Sequence, residues 1–174
     1  PKKDRILKEG DIVGMDIGMR YPEKSGLISD MATTVAVGTV SSQVQKLLTA
    51  TEEALHAGIK EAKVGNHIGD IGHAVQKRLE KNSFGIIREL VGHGVGKKLH
   101  EDPYVPNYGN RGEGELLKEG MVLALEPMAT LGHPDIILDK DGWTYKTKDG
   151  SLSAHFEHSI VILKSGPEIL TNLI

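Results

Sequence analysis

The sequence predicts a single α+β domain. Three observations carry that expectation. The 174 residues suffice for one domain, 1–174, with a hydrophobic core. Two amphipathic segments at helical spacing stand side by side between residues 41 and 82. Strand-like runs precede and follow them, which is the pattern of helices and strands kept apart. Composition narrows the function classes. Hydrophobic residues are 39% and charged residues 26%, ordinary for a soluble globular protein. A net charge of −3 gives neither a nucleic-acid nor a membrane footprint. The most apolar run, Met121 to Leu131, is too short to cross a bilayer and contains Glu126. There are no cysteines, hence no disulfide framework and no zinc–thiolate site, a usage that fits a reducing cytoplasm. The first residues are charged and lack the apolar stretch of a signal peptide.

The elements follow from the pattern in chain order. Ile12 to Met19 alternates, with Val13, Met15, Ile17 and Met19 on a face expected to be core. The other face holds Asp16 between Gly14 and Gly18, with room for something against it. Tyr21 to Gly26 reads as a hairpin loop and Leu27 to Val37 as the return strand, carrying Asp30. Ser41 or Ser42 caps a helix whose buried stripe is Val44, Leu47, Leu48, Thr51, Leu55 and Ile59. A second helix spans His67 to Asn82. His56, His67 and His73 belong to these helices and read as solvated or capping. Phe84 to Val91 reads as a strand and Pro103 to Gly114 as a loop. Leu116 to Gly120 repeats the phrase Ile6 to Gly10, each time before a strand bearing an acid. Met121 to Glu126 is strand, ended by Pro127. Lys140 to Gly142 is a turn, with short strand pieces around Trp143 and Tyr145. Ser153 to Leu163 is expected as one final strand with Ser153, His155, Glu157 and Ser159 on one face.

Leu90 to His100 packs Gly92, Gly94, Gly96, His93 and His100 into eleven residues. Such glycines permit a sharp turn or close approach, and they leave the two imidazoles as the segment's functional groups. Read blandly, it is a surface loop. Read with Asp16, Asp30, Glu126 and Glu157, it belongs to a set of four carboxylates and an imidazole. Three of those acids sit in apolar, strand-like runs, where an unpaired carboxylate is costly. Brought together, they would carry about four negative charges and would require cations. Oxygen-rich ligation with one histidine suits Mn, Fe(II), Co or Zn. Two such ions can share a water, lower its pKa and polarise a carbonyl. Spacing by itself does not establish convergence, because the residues are spread over more than a hundred positions.

The motifs resemble those of type I methionine aminopeptidases, metallopeptidases of the pita-bread fold. Gly10-Asp11-Ile12-Val13-Gly14-Met15-Asp16 and Ser29-Asp30-Met31-Ala32-Thr33-Thr34 resemble the two aspartate segments. Gly92-His93-Gly94-Val95-Gly96 through His100-Glu101-Asp102-Pro103 resembles the histidine segment. Glu126-Pro127-Met128 and Ser151 through His158 resemble the glutamate segments, and Gly142-Trp143-Thr144 falls where the family carries a tryptophan. The resemblance implies a curved antiparallel sheet with helices outside. It also implies hydrolytic release of N-terminal methionine from peptides and nascent proteins through a metal-bridging water. Two divalent ions (Co, Mn, Fe(II) or Zn) would be held by Asp16, Asp30, His93, Glu126 and Glu157, with Asp30 and Glu157 bridging. Glu126 would also move the proton of the attacking water. His100 would bind the scissile amide, and Trp143 would lie on the substrate side. A cytoplasmic enzyme working near the ribosome is implied, with no nucleic acid or membrane as partner. The hairpin between Asp16 and Asp30 is a few residues longer than the family's usual one. Pro1 aligns inside the family's chain, so the first half of the fold is expected to be incomplete. The resemblance does not fix how active these 174 residues are by themselves. Three rival readings are a proline-directed relative, whose segment usually reads Glu-Pro-Gly where this chain has Glu126-Pro127-Met128, a non-catalytic protein-binding domain, which would typically have lost ligands, and a truncated, inactive fragment of an aminopeptidase.

Overall fold

A computed structural model describes residues 5–172; residues 1–4 and 173–174, the two ends of the expected domain, lie outside the described residues. The elements run β1 (Ile12–Tyr21), β2 (Leu27–Ala36), α1 (Ser42–Glu61), α2 (Ile68–Lys81), β3 (Gly85–Ile86), β4 (Gly92–Gly94), β5 (Glu101–Val105), β6 (Val122–Leu125), β7 (Met128–Thr130), β8 (Ile136–Leu138), β9 (Tyr145–Thr147), β10 (Ser153–His155), β11 (Glu157–Leu163) and β12 (Gly166–Ile169). Among the described residues, seven strands form one sheet in the order β1-β2-β11-β6-β4-β5, with β12 also paired to β11. Every pairing in it is antiparallel. A small sheet β10-β7-β3 and the hairpin β8-β9 complete the strands. The α+β expectation holds, with two helices on one face of a curled antiparallel sheet.

The helices form where the pattern places them. The Ser41 hydroxyl accepts from the Val44 N–H at 3.3 Å and starts α1. Val44, Leu47, Leu48, Thr51, Leu55 and Ile59 all turn inward. His67 starts α2, its N–H donating to the Asp70 carboxylate at 2.8 Å. Leu47, Leu55, Ile71 and Val75 from the helices meet Leu123, Leu125, Ile160 and Ile162 from the sheet in one core. Each such side chain contributes about 1.5–3 kcal/mol through burial. The repeated phrase folds the same way twice. Gly10 and Gly120 take φ +92 and +86. Each of their N–H groups donates across the sheet, to Val37 and Ile162 respectively.

Four expectations are corrected. Met15, Ile17 and Met19 are 49%, 61% and 57% exposed, so that face of β1 is not core. The pattern was that of a strand with a covered face, but α1 packs on β2, β6 and β11, and β1 is the sheet's edge. The strand expected over Phe84 to Val91 shrinks to the two residues of β3, and Gly92 to Gly94 of the glycine-histidine segment is itself strand β4, buried beside β6. Its glycines serve close approach: a Cβ on Gly92 would stand 2.3 Å from the Ala124 carbonyl oxygen. The loop expected from Pro103 instead opens inside β5, where an edge strand tolerates the missing N–H. The final strand breaks at Phe156, whose N–H turns to the Pro127 carbonyl at 3.4 Å while its ring joins the core. β10 therefore joins β7, whereas β11 enters the large sheet; β12, which follows, had no distinct signal.

Candidate metal centre

The register brings the acids together. Asp16 pairs with Ala32 and Gly18 with Asp30 across β1 and β2. Ala32 in turn faces Glu157 on β11. Ser159 and His93 both face Ala124 on β6. Paired residues and their i±2 neighbours share a face, so Asp16, Asp30, Glu157 and His93 all project from the side opposite the helices. Gly18, Ala32, Ala124 and Ser159 are the small residues between them, and they leave the basin open. A Cβ at Gly18 would lie 3.4 Å from Oδ1 of Asp30. Glu126 follows β6, where Asn107 donates to its carbonyl at 3.0 Å.

Asp30, His93 and Glu157 are buried, and each offers a ligand atom within 4.8 Å of the others. His93 Nδ1 lies 2.9 Å from the Gly94 carbonyl, which places the ring proton there and leaves Nε2 as a lone pair. That Nε2 stands 3.6 Å from Glu126 and 4.0 Å from Asp30. Asp16 and His100 line the same basin, with the His100 ring edge-on to His93 at 4.4 Å. The electrostatics are those of crowded anions. Burial, then Glu126, Asp30 and Asp16, push the Glu157 carboxyl up to about 9. Burial and Asp16 likewise raise Asp30. Asp30 Oδ1 and Glu157 Oε1 are buried without a hydrogen-bond partner. Orphaned carboxylate oxygens facing an imidazole lone pair are what a divalent cation would satisfy, so the residues present fit a metal.

The model of metallopeptidase family M24 matches residues 1–164. The chain belongs to metallopeptidase family M24. Among its M24 relatives, the methionine aminopeptidase of Clostridium acetobutylicum is 45% identical over 98% of this chain and 67% of its own length. That of Aquifex aeolicus is 48% identical over 99% and 67%. The chain thus spans about two thirds of the length of these curated relatives. The crystal structure of methionine aminopeptidase from Thermotoga maritima superposes with a TM-score of 0.95 at 46% identity, covering 99% of this chain and 68% of that one. Prolidase from Pyrococcus furiosus, at TM-score 0.75 and 24% identity, shares the fold.

Within this M24 basin six of the seven expected site residues converge: Asp16, Asp30, His93, His100, Glu126 and Glu157. Trp143 does not. It is 87% exposed in the β8-β9 turn, where Asp141 accepts from its N–H at 2.9 Å. Three supporting residues carried no clear sequence signal. The Ser159 hydroxyl accepts from the Asp30 N–H and donates to the Asp30 carbonyl, both at 2.9 Å. The Thr34 hydroxyl does the same for His155, at 2.9 and 2.8 Å. These hydroxyls pin the two ends of the two-residue ladder between β2 and β11. Asn107 is the third. Only Ser159 could have been suspected, from its alternation with Glu157.

Proposed function

We propose that the chain releases the N-terminal methionine from peptides and nascent proteins by metal-dependent hydrolysis. The observation that carries this reading is the single basin in which the orphaned oxygens of Asp30 and Glu157 face His93 and Glu126. Its relatives named methionine aminopeptidase share 45–48% identity with it. Asp16, Asp30 and Glu157 would hold one divalent ion. His93 and Glu126, with the bridging Asp30 and Glu157, would hold a second. The ions supply an acidified water and a Lewis acid for the carbonyl. Glu126, whose carboxylate stands 3.6 Å from His93 at the edge of the basin, takes the proton from the attacking water and passes it to the leaving amine. His100, at the rim, donates to the scissile amide as charge develops on it. The substrate-side role of Trp143 rests on the family resemblance alone. The chain acts as a single catalytic domain over 1–174. A cytoplasmic setting close to the ribosome accords with substrates that are new N-termini; among the described residues no helix is long and apolar enough to cross a membrane.

The test combines metal and acid. Chelator should lower the melting temperature, and Mn or Co should restore it, because ion binding to the folded state is coupled to stability. Glu126→Gln should cut kcat on a methionine-initiated tripeptide by about 10²-fold or more and change KM little. A melting curve indifferent to chelator, or an equal loss in the exposed control Glu52→Gln, would overturn the assignment.

A further inference from the structure

His155 lies outside the five-residue ligand set, yet its ring is built into the basin. Nε2 is buried and has no hydrogen-bond partner. The nearest carboxylate oxygen paired with it is Oε2 of Glu126, at 3.5 Å. The other oxygen of that carboxylate, Oε1, is the one 3.6 Å from His93 Nε2. Two imidazoles therefore bracket Glu126, one on each oxygen. The backbone of His155 is fixed in both directions by the buried Thr34 hydroxyl on β2, the strand that also carries Asp30. The ring borders both the basin and a neighbouring cavity walled by Ile87, Leu90, Met128 and Ile136. A buried ring nitrogen without a partner is costly, and so is a carboxylate oxygen left to rotate. A small closure of the 3.5 Å gap satisfies both.

We propose that His155 is a positioning residue for Glu126. Its Nε2–H holds Oε2, and Oε1 is thereby the oxygen turned toward His93 and the ions. Outer partners of this kind orient metal-binding carboxylates and typically carry about 10–100-fold in metal affinity or activity. The proposal rests on the metallopeptidase reading above.

The experiment compares His155→Leu, which removes the donor, with His155→Gln, which keeps an N–H donor on a side chain of similar reach. The full chain is used, with Mn²⁺ affinity from titration calorimetry and kcat and KM on a methionine-initiated tripeptide. The leucine variant is expected to lose about tenfold or more in Mn²⁺ affinity and in kcat, with KM within about twofold. The glutamine variant is expected to stay within about threefold of the parent on both. Should the leucine variant melt early, His155→Phe replaces it, filling the volume without a donor. A donor-less variant that binds Mn²⁺ and turns over like the parent would overturn the proposal. So would a rise in KM with kcat intact, or a glutamine variant as poor as the leucine one. If the parent binds Mn²⁺ but cleaves no peptide, the functional reading fails, and the Mn²⁺ affinities alone still decide the role of His155.

Discussion

His93 and His100 lie seven residues apart on one segment but face different tasks. With Nδ1 committed to the Gly94 carbonyl, His93 has only the Nε2 lone pair to offer, and that nitrogen faces the basin 3.6 Å from Glu126 and 4.0 Å from Asp30. His100 touches His93 edge-on from the exposed rim. His93→Ala should therefore lose bound metal, whereas His100→Ala should keep it and lose turnover. Metal analysis of both proteins is the measurement, and matching metal loss would mean the roles are misassigned. Glu157 sets a pH dependence. Its carboxyl is raised from 4.5 to about 9, so above pH 4.5 the folded metal-free chain holds a proton that the unfolded chain has released. Stability from this group is then fully present below pH 4.5 and is lost as pH rises toward 9. The metal-free melting temperature should fall between pH 5 and 9. Saturating Mn²⁺ should flatten or reverse that slope, because the ion replaces the proton and binds the deprotonated ligands. A metal-free melting temperature that climbs over this range would contradict the account.

At the scale of elements, β4 is the exacting one. A Cβ at Gly92 would meet the Ala124 carbonyl oxygen at 2.3 Å, a backbone atom that cannot rotate away. Gly92→Ala should cost about 1–3 kcal/mol, or several degrees of melting temperature, and should weaken metal binding by displacing the adjacent His93. Gly96→Ala is the control: a Cβ there meets nothing closer than the Glu101 carboxylate at 3.8 Å. Equal losses in the two variants would refute the close-approach reading of β4. These glycines also mark what a sequence can and cannot disclose. The stripe Val44, Leu47, Leu48, Thr51, Leu55 and Ile59 was legible because helical period is local. Asp16, Asp30, His93, Glu126 and Glu157 were legible as residues, and the family motifs ordered them. That Gly92 to Gly94 is a central strand was not legible, because the reason lies in Ala124, far along the chain. The break at Phe156 was hidden likewise, since alternation continues through it and only the Pro127 carbonyl diverts it.

At the scale of the whole molecule, the described sheet ends at an open edge strand, β1. Among the described residues β1 pairs only with β2, and Met15, Ile17 and Met19 stand exposed on the face opposite the metal basin. An open edge beside an apolar stripe favours association. The apparent molar mass of the purified chain from light scattering should rise with concentration, and Ile17→Lys should reduce that rise without changing Mn²⁺ affinity. Scattering that is unaffected by the substitution would show that this face is not responsible. The hydroxyl clamp between Asp30 and Ser159 has another consequence, one of timing. The two residues are 129 positions apart in the chain. Closing so long a span is slow compared with forming α1 or α2, and it cannot begin before Ser159 exists. At a synthesis rate of about 5–20 residues per second, Asp16 and Asp30 wait on the order of ten seconds for the strand that completes their basin. A copy still being translated therefore has its first aspartates in place but neither Glu157 nor a closed basin. New N-termini that appear in that interval are left to copies finished earlier.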